Sequence, residues 1–412
     1  MELLRLAIPI LLSNWLYSVQ SLVTLAVVSA YGEDIIAGVG FASTLVWLLY
    51  SLHEGVYAAT ATVAARRVGE GRGVGEVLAA SLLISAAVAA PFSLFGEEAA
   101  KLFLESFSVK GKALEAALSY LRPVLLAAPL LLWVNTLNAA FTGVGKSRAV
   151  FWSTGAVFIS GTLLLLLLVP RLGAEGAGLA VVASELTGGA VYLLKLRELP
   201  LKPGRGLSKG EVRLGLKVGL PAAAESLLSS VSFNLFSGVV AACGTAPLAG
   251  YQLALRVEGF ATALGYALLE AAVPFVGAAG GKMAERAREA VKVGLISGAA
   301  AGAVLLLTAL IRPVGGEAGR WFSLYLLTAA AAQPAVCGSF AATGTLRATG
   351  LGPEEAAVNV GSYWLFRLLP AWLAVKAVKT PLIPWGFAAA ESWLRFALLR
   401  LVLKVRLRWE AL

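Results

Sequence analysis

Between residues 5 and 403 the chain is a succession of apolar runs, each about 20–30 residues long, and that length most constrains its fold. At about 1.5 Å per residue, such a run crosses a hydrocarbon layer of about 30 Å as a helix. A helix also closes its own backbone hydrogen bonds where no water is present to do so. Composition agrees, since 58% of the 412 residues are hydrophobic and only 14% are charged, against about 25–35% on a soluble surface. Mean hydropathy is +0.81. The expected class is an all-α membrane protein with twelve transmembrane helices, near 5–30, 36–65, 77–95, 116–141, 149–169, 176–196, 214–243, 248–279, 288–311, 322–346, 355–376 and 382–403.

The net charge of +10 is then read as topological and lipid-facing, not as a nucleic-acid footprint. With the N-terminus inside, the inner loops and tail hold about 20 Lys and Arg and the outer loops about 8. Arg66, Arg67, Lys146, Arg148, Lys282, Arg286, Arg288 and the tail "KVRLRW" all fall inside. The expectation is a multi-pass plasma-membrane monomer with both termini cytoplasmic, whose partners are small amphipathic or cationic molecules and the lipid bilayer, with no nucleic acid or nucleotide. The first run is longer than a signal-peptide core and reads as a retained span. Cys243 and Cys337 read as small hydrophobes, not a disulfide.

The chain repeats itself. A shift of 212 places Pro9 on Pro221, Leu16 on Leu228, Ser18-Val19 on Ser230-Val231, Gly38 on Gly250 and Gly69 on Gly281. A shift of 205 places Tyr120 on Tyr325, Pro129 on Pro334 and Gly145 on Gly350. Two six-helix lobes, 1–195 and 214–412, are expected on either side of a basic linker, 196–213. An even helix number per lobe makes the repeats parallel, an arrangement common in secondary transporters.

The segments "LAIPILLSN" and "VGLPAAAES" open the two halves. "TATVAARRVGEG", "EAAVPFVGAAGG", "ALRVEGFATALGYAL" and "GSYWLFRLLPAWLA" follow in order. In these motifs and their spacing the chain resembles the MATE family, the multidrug and toxic-compound extrusion transporters of the wider polysaccharide-flippase superfamily. The resemblance implies a V-shaped pair of six-helix bundles that exports amphipathic, often cationic compounds in exchange for Na⁺ or H⁺. Two positions depart from the family. Its first-helix aspartate is Thr24 here, and the seventh-helix glutamate of its NorM-like branch is Ser229. Glu225 lies one turn before Ser229 on the same face. The sole Asp, Asp34, falls in the first outer loop.

Acids inside the spans carry the functional expectation, because a charge in hydrocarbon is costly and tends to mark an ion or substrate path. Glu185 and Glu391 nearly correspond in the two repeats, which suits a shared structural role. Glu225, Glu270, Glu258 and Glu54 have no counterpart and are the candidate ion-coupling residues. Measured from Lys217 and Lys282, Glu225 lies roughly 12 Å and Glu270 roughly 18 Å into the core. A buried carboxyl tuned toward neutrality exchanges a proton. An ionised one holds Na⁺ with oxygens such as those of Ser226, Ser229, Ser232, Asn234 and Gln252, and the two ions stay open. Arg256 is a candidate partner for Glu225 or Glu270, and Arg367 a structural cation satisfied by carbonyls. His53 is either a proton relay or a hydrogen-bonded core histidine.

Ser13, Tyr17, Gln20 and Thr24, spaced 4, 3 and 4 with Asn14 beside them, form one polar face of the first helix. Asn135 and Asn138 do the same in the fourth. These are expected to line a substrate cleft or to bind helices together. "AFTGVGKS" fits a loose phosphate-loop pattern but lacks the strand and α/β core that such a loop needs. No cofactor, nucleotide or enzymatic chemistry is expected. The leading expectation is an ion-coupled exporter. A flippase for lipid-linked oligosaccharide, favoured by a cationic cavity, and a membrane scaffold or receptor are the rivals.

Overall fold

The structure, a computed structural model, describes residues 2–106, 109–202 and 206–407. Linker residues 203–205, tail residues 408–412 and the side chain of Asp34 lie outside the described residues. The described chain is helical almost throughout. Its twelve spans are α1 (Glu2–Ser29), α2 (Glu33–Gly69), α3 (Gly75–Ser106), α4 (111–143), α5 (147–172), α6 (174–194), α7 (Lys209–Ala241), α8 (Thr245–Gly277), α9 (Met283–Ile311), α10 (Gly316–Thr349), α11 (352–377) and α12 (Leu382–Arg406).

Three of these depart from straight rods. The two segments of α4 meet at 61° around Ala127, between Pro123 and Pro129, because proline cannot donate to the turn before it. The stretch from Ser147 to Leu194 runs for 48 residues and holds two helices that meet at a kink. Straight, it would be about 72 Å long, more than twice a hydrocarbon core. It breaks into two spans at Gly173, whose φ of 57° and ψ of −131° only glycine adopts without strain. In α11 a π-helical turn, Ser362–Leu368, replaces the regular helix just before Pro370. Such turns often sit at functional positions.

The described residues divide into two compact units, one of Leu12–Gly219 and one of Met1–Leu11 with Leu220–Leu412. The division falls inside α7 because the start of that helix is fastened to the first unit. Arg67, at the end of α2 and almost fully buried, uses all five of its N–H groups. Nε and Nη2 reach Glu211 at 2.5 and 3.1 Å, Nη1 reaches Glu76 at 2.5 Å and Gly73 O at 3.0 Å, and Nη2 also reaches Gly206 O at 2.9 Å. Glu211 in turn accepts from Ser208 N at 2.7 Å while Ser208 Oγ accepts from Glu211 N at 3.2 Å. This is a reciprocal helix cap. Farther along, Gly219 packs against the backbone of Gly55.

Within the second unit, α9 lies against α10 along Gly294, Gly298 and Gly302. A Cβ at these positions would meet Cys337 O at 2.9 Å, Gln333 O at 2.6 Å and Ala330 O at 2.6 Å. Lipid supplies no hydrophobic drive between helices, so small residues that let backbones touch take over that role.

Glu211 lies before the apolar run that opens at Val218, and Arg67 holds its pKa down to about 2. A depressed carboxyl pKa stabilises the fold above the unfolded value and stops doing so as pH falls through the folded one. Glu211→Gln should therefore lower the apparent Tm by roughly 5–10 °C at pH 7. In detergent thermal-shift measurements, the gap to wild type should close between about pH 4 and pH 2. Gly298→Leu should lower the apparent Tm at every pH in that range, because its clash is with backbone and does not titrate.

Candidate functional site

Glu225 stands on α7, one turn past Pro221, and donors from two other helices of the second unit hold its carboxylate. Arg347 Nη2, at the end of α10, lies 3.0 Å from Oε2, and Asn359 Nδ2, on α11, lies 2.8 Å from Oε1. Asn359 Nδ2 also lies 2.8 Å from Glu355 Oε1 and 3.1 Å from Thr343 Oγ1. Arg347 Nε is 3.6 Å from Glu355 Oε2. Glu355 is fully buried, while the Glu225 side chain is 12% exposed, so Glu225 is the more accessible of the two.

The charges of this cluster do not cancel. Two carboxylates face one guanidinium, which leaves one net negative charge when both are ionised. An uncompensated charge away from water is strongly disfavoured, so a proton or a monovalent cation is the natural complement. Asn359 Oδ1 and Glu355 Oε2 are buried without a hydrogen-bond partner.

The other expected acids lie elsewhere. Glu258, on α8, accepts a hydrogen bond of 2.6 Å from Tyr325 OH. Glu270 and Glu54 are half-buried on α8 and α2. Arg256 is exposed, and the cation beside Glu225 is Arg347 of α10 instead. Arg367 is held by a carboxylate, not by carbonyls. Its Nη2 lies 2.7 Å from Glu391 Oε2, while Glu391 Oε1 accepts from Arg395 Nε at 3.1 Å and from Ser362 Oγ at 2.7 Å. Of the oxygens expected around Glu225, Asn234 is exposed and donates to Ser230 O at 2.9 Å, and Gln252 is exposed. The Ser229 hydroxyl is buried without a partner.

In the first unit, His53 is wholly buried among hydroxyls, with Nε2 2.9 Å from Ser85 Oγ and 3.3 Å from Thr136 Oγ1. The polar face of α1 is directed into its own lobe. Ser13 is buried, Gln20 Oε1 accepts from Thr162 Oγ1 at 3.2 Å, and Thr24 donates to Gln20 O at 2.9 Å. Tyr17 lies within electrostatic reach of Glu185, as does Tyr50. Asn14 lends its carbonyl to Ser18, and Asn138 Oδ1 accepts from Thr142 at 3.2 Å. Asn135 Oδ1 is buried without a partner. The two corresponding acids therefore differ: Glu391 is locked between two arginines, and Glu185 has no ion pair among the described residues.

Sequence reasoning missed Arg347, Glu355 and Asn359 because they fall at the expected ends of two spans. The spacing of Glu355 and Asn359, four apart at the start of an apolar helix, was the available signal, since such residues share one helical face.

A family model described as MatE matches residues 9–167 and 221–373. A probable multidrug resistance protein NorM of Deinococcus radiodurans is 28% identical over 331 residues, covering 75% of this chain and 70% of the relative. Another of the same name, from Thermotoga maritima, is 22% identical over 291 residues, covering 67% of this chain and 62% of its own, less than two thirds of its length. Among solved structures, the outward-facing conformation of a multidrug resistance MATE family transporter of the MOP superfamily superposes with a TM-score of 0.87 at 18% identity. That match covers 100% of this chain and 96% of the other.

If Arg347 neutralises this cluster, Arg347→Met should destabilise the protein by roughly 3–5 kcal/mol, since it strands two carboxylates. Adding Glu225→Gln should recover part of that loss. Detergent thermal unfolding of the two single variants and the double variant measures the coupling.

Proposed function

Because the chain belongs to the MatE family, we propose that it is a secondary antiporter exporting amphipathic, chiefly cationic compounds in exchange for H⁺ or Na⁺. The observation that carries this reading is the Glu225 cluster, one positive charge short and exposed at a single carboxylate. In one state of the cycle, Glu225 takes up the missing charge as a proton or as Na⁺, with Asn359, Glu355 and Thr343 supplying neighbouring oxygens. In the other state it releases that charge, and the difference in free energy is coupled to cargo. Glu258, Glu270 and Glu54 are secondary candidates for the same ion path. The α1 face of Asn14, Tyr17, Gln20 and Thr24, with Asn135 and Asn138, is the candidate cargo surface.

The lobes are 1–195 and 214–412 with 196–213 as a cytoplasmic linker, and the protein is a plasma-membrane monomer with both termini inside. It binds no nucleotide, uses no organic cofactor and breaks no covalent bond in its cargo. The multidrug names of the relatives support an exporter over a flippase for lipid-linked sugars.

In liposomes, wild-type protein should move a fluorescent cationic dye under one imposed gradient, of pH or of Na⁺, and the responsive gradient identifies the ion. Glu225→Gln should lose at least tenfold in gradient-driven rate. Equal rates in the two proteins would remove Glu225 from the coupling path, and no dye movement under either gradient would overturn the exporter reading.

A further inference from the structure

On the exposed side of the second unit, α9 and α12 form the walls of a groove whose floor is α10. Leu295 of α9 and Phe396 of α12 meet over Gly338 of α10, where an added Cβ would lie 3.1 Å from the leucine and 2.8 Å from the ring. Helix α9 runs antiparallel to α10, with Gly294 against Ala341 and Gly302 against Ala330. Helix α12 runs parallel to the same floor, since Trp393 donates to Ala331 O at 3.1 Å and Phe396 follows at Gly338. The start of α9 and the end of α12 therefore lie at one end of the groove, and Val291, Leu399 and Leu403 pack together there.

Helix register places four cations at that end. Lys292 and Arg288 stand three and seven residues before Leu295, and Arg400 and Lys404 stand four and eight residues after Phe396. Residues so spaced share one helical face. At about 1.5 Å per residue, Lys292 and Arg400 lie about 5 Å beyond the Leu295–Phe396 contact, and Arg288 and Lys404 about 11 Å. Each level thus has one cation from each wall. Lys292, Arg400 and Lys404 are exposed, and Arg288 is half-buried.

None of the four has an ion-pair partner among the described residues, whereas Arg286 nearby is taken by Glu2 and Glu289, and Arg406 by Glu354. Arg288 Nε is buried without an acceptor. Glu285, three residues before Arg288, offsets one of the four charges at most. Like charges one helical turn apart repel, and the pair on each wall is of that kind. An anion between the walls removes the repulsion and gives Arg288 its acceptor.

Away from the cations the groove is apolar. Ala299 on α9 and Trp393 on α12 are exposed beside it, and the indole stands edge-on to Phe396 with ring centroids 6.5 Å apart. A free phosphate would answer the cations and leave this stretch bare. A zwitterionic lipid would bring its own ammonium to a site that is already cationic. We propose that the groove binds an anionic phospholipid, with its phosphodiester between the Arg288–Lys292 and Arg400–Lys404 pairs and an acyl chain along Ala299 and Trp393. The site shares no residue with the Glu225 cluster, and its occupation does not depend on what the protein transports.

The test is native mass spectrometry of the full-length protein in detergent, titrated with dioleoyl phosphatidylglycerol or with dioleoyl phosphatidylcholine, which has the same acyl chains. The first phosphatidylglycerol should bind wild type roughly tenfold more tightly than the first phosphatidylcholine. Lys292→Gln combined with Arg400→Gln should remove most of that preference. Arg213→Gln combined with Lys217→Gln, which takes two exposed cations of the same spacing from α7 alone, should leave it unchanged. If the first double variant does not elute as wild type on size exclusion, Lys292→Gln and Arg400→Gln are measured singly, and each should lower the preference by roughly threefold. Inorganic phosphate in large excess should not displace the lipid. Equal affinity for the two lipids, an equal loss in both double variants, displacement by inorganic phosphate, or a dimer mass in place of lipid adducts would each overturn the proposal. Because no gradient is imposed, the outcome is separate from whether the protein exports a dye.

Discussion

A carboxylate inside a hydrocarbon layer has to be answered by a nearby donor or cation, and the second unit is organised around how Glu225 and Glu355 are answered. One guanidinium, Arg347, and one amide, Asn359, serve both acids. This ties α7, α10 and α11 together at a single point. With both acids ionised it also leaves one net negative charge, and in the function we propose a proton or a small cation removes it. The Glu391 cluster shows the opposite arrangement, with one acid held by two arginines and a serine.

Around these charged clusters the packing is mostly a matter of backbone approach. Gly294, Gly298 and Gly302 bring α9 onto α10, and Gly265 brings α8 onto the ring of Phe340 on α10. Helices held this way are sensitive to added volume. Outside the apolar runs, Arg67 does for the linker what Arg347 does for the interior. It fixes the start of α7 to the first unit through Glu211 and Gly206.

Much of the architecture was legible in the sequence, because the length of the apolar runs and the aligned prolines and glycines follow directly from membrane thickness and duplication. The two spans expected near 149–169 and 176–196 are matched by the break at Gly173, although the backbone angle that makes the break is not something composition reports. Among site residues, Glu225 stood out as a lone carboxylate in an apolar run. Its partners did not, because Arg347, Glu355 and Asn359 sit at span ends where charge is ordinary. The cation for Glu225 was sought at Arg256, the nearest intramembrane arginine in the following helix. Which arginine faces the acid is decided by helix rotation in the packed unit, and single-chain periodicity does not supply that. Glu185 and Glu391 show the same limit. They hold corresponding places in the repeat, yet only one of them is surrounded by arginines.

The central claim is that Glu225 changes its proton or ion occupancy under working conditions. Infrared difference spectroscopy of the reconstituted protein, stepped in pH with and without Na⁺, reads this directly. The account predicts a protonated-carboxyl band that disappears as pH rises or Na⁺ is added and that is missing from Glu225→Gln. A carboxyl spectrum that is unchanged across those steps, or that is the same in wild type and Glu225→Gln, would contradict it.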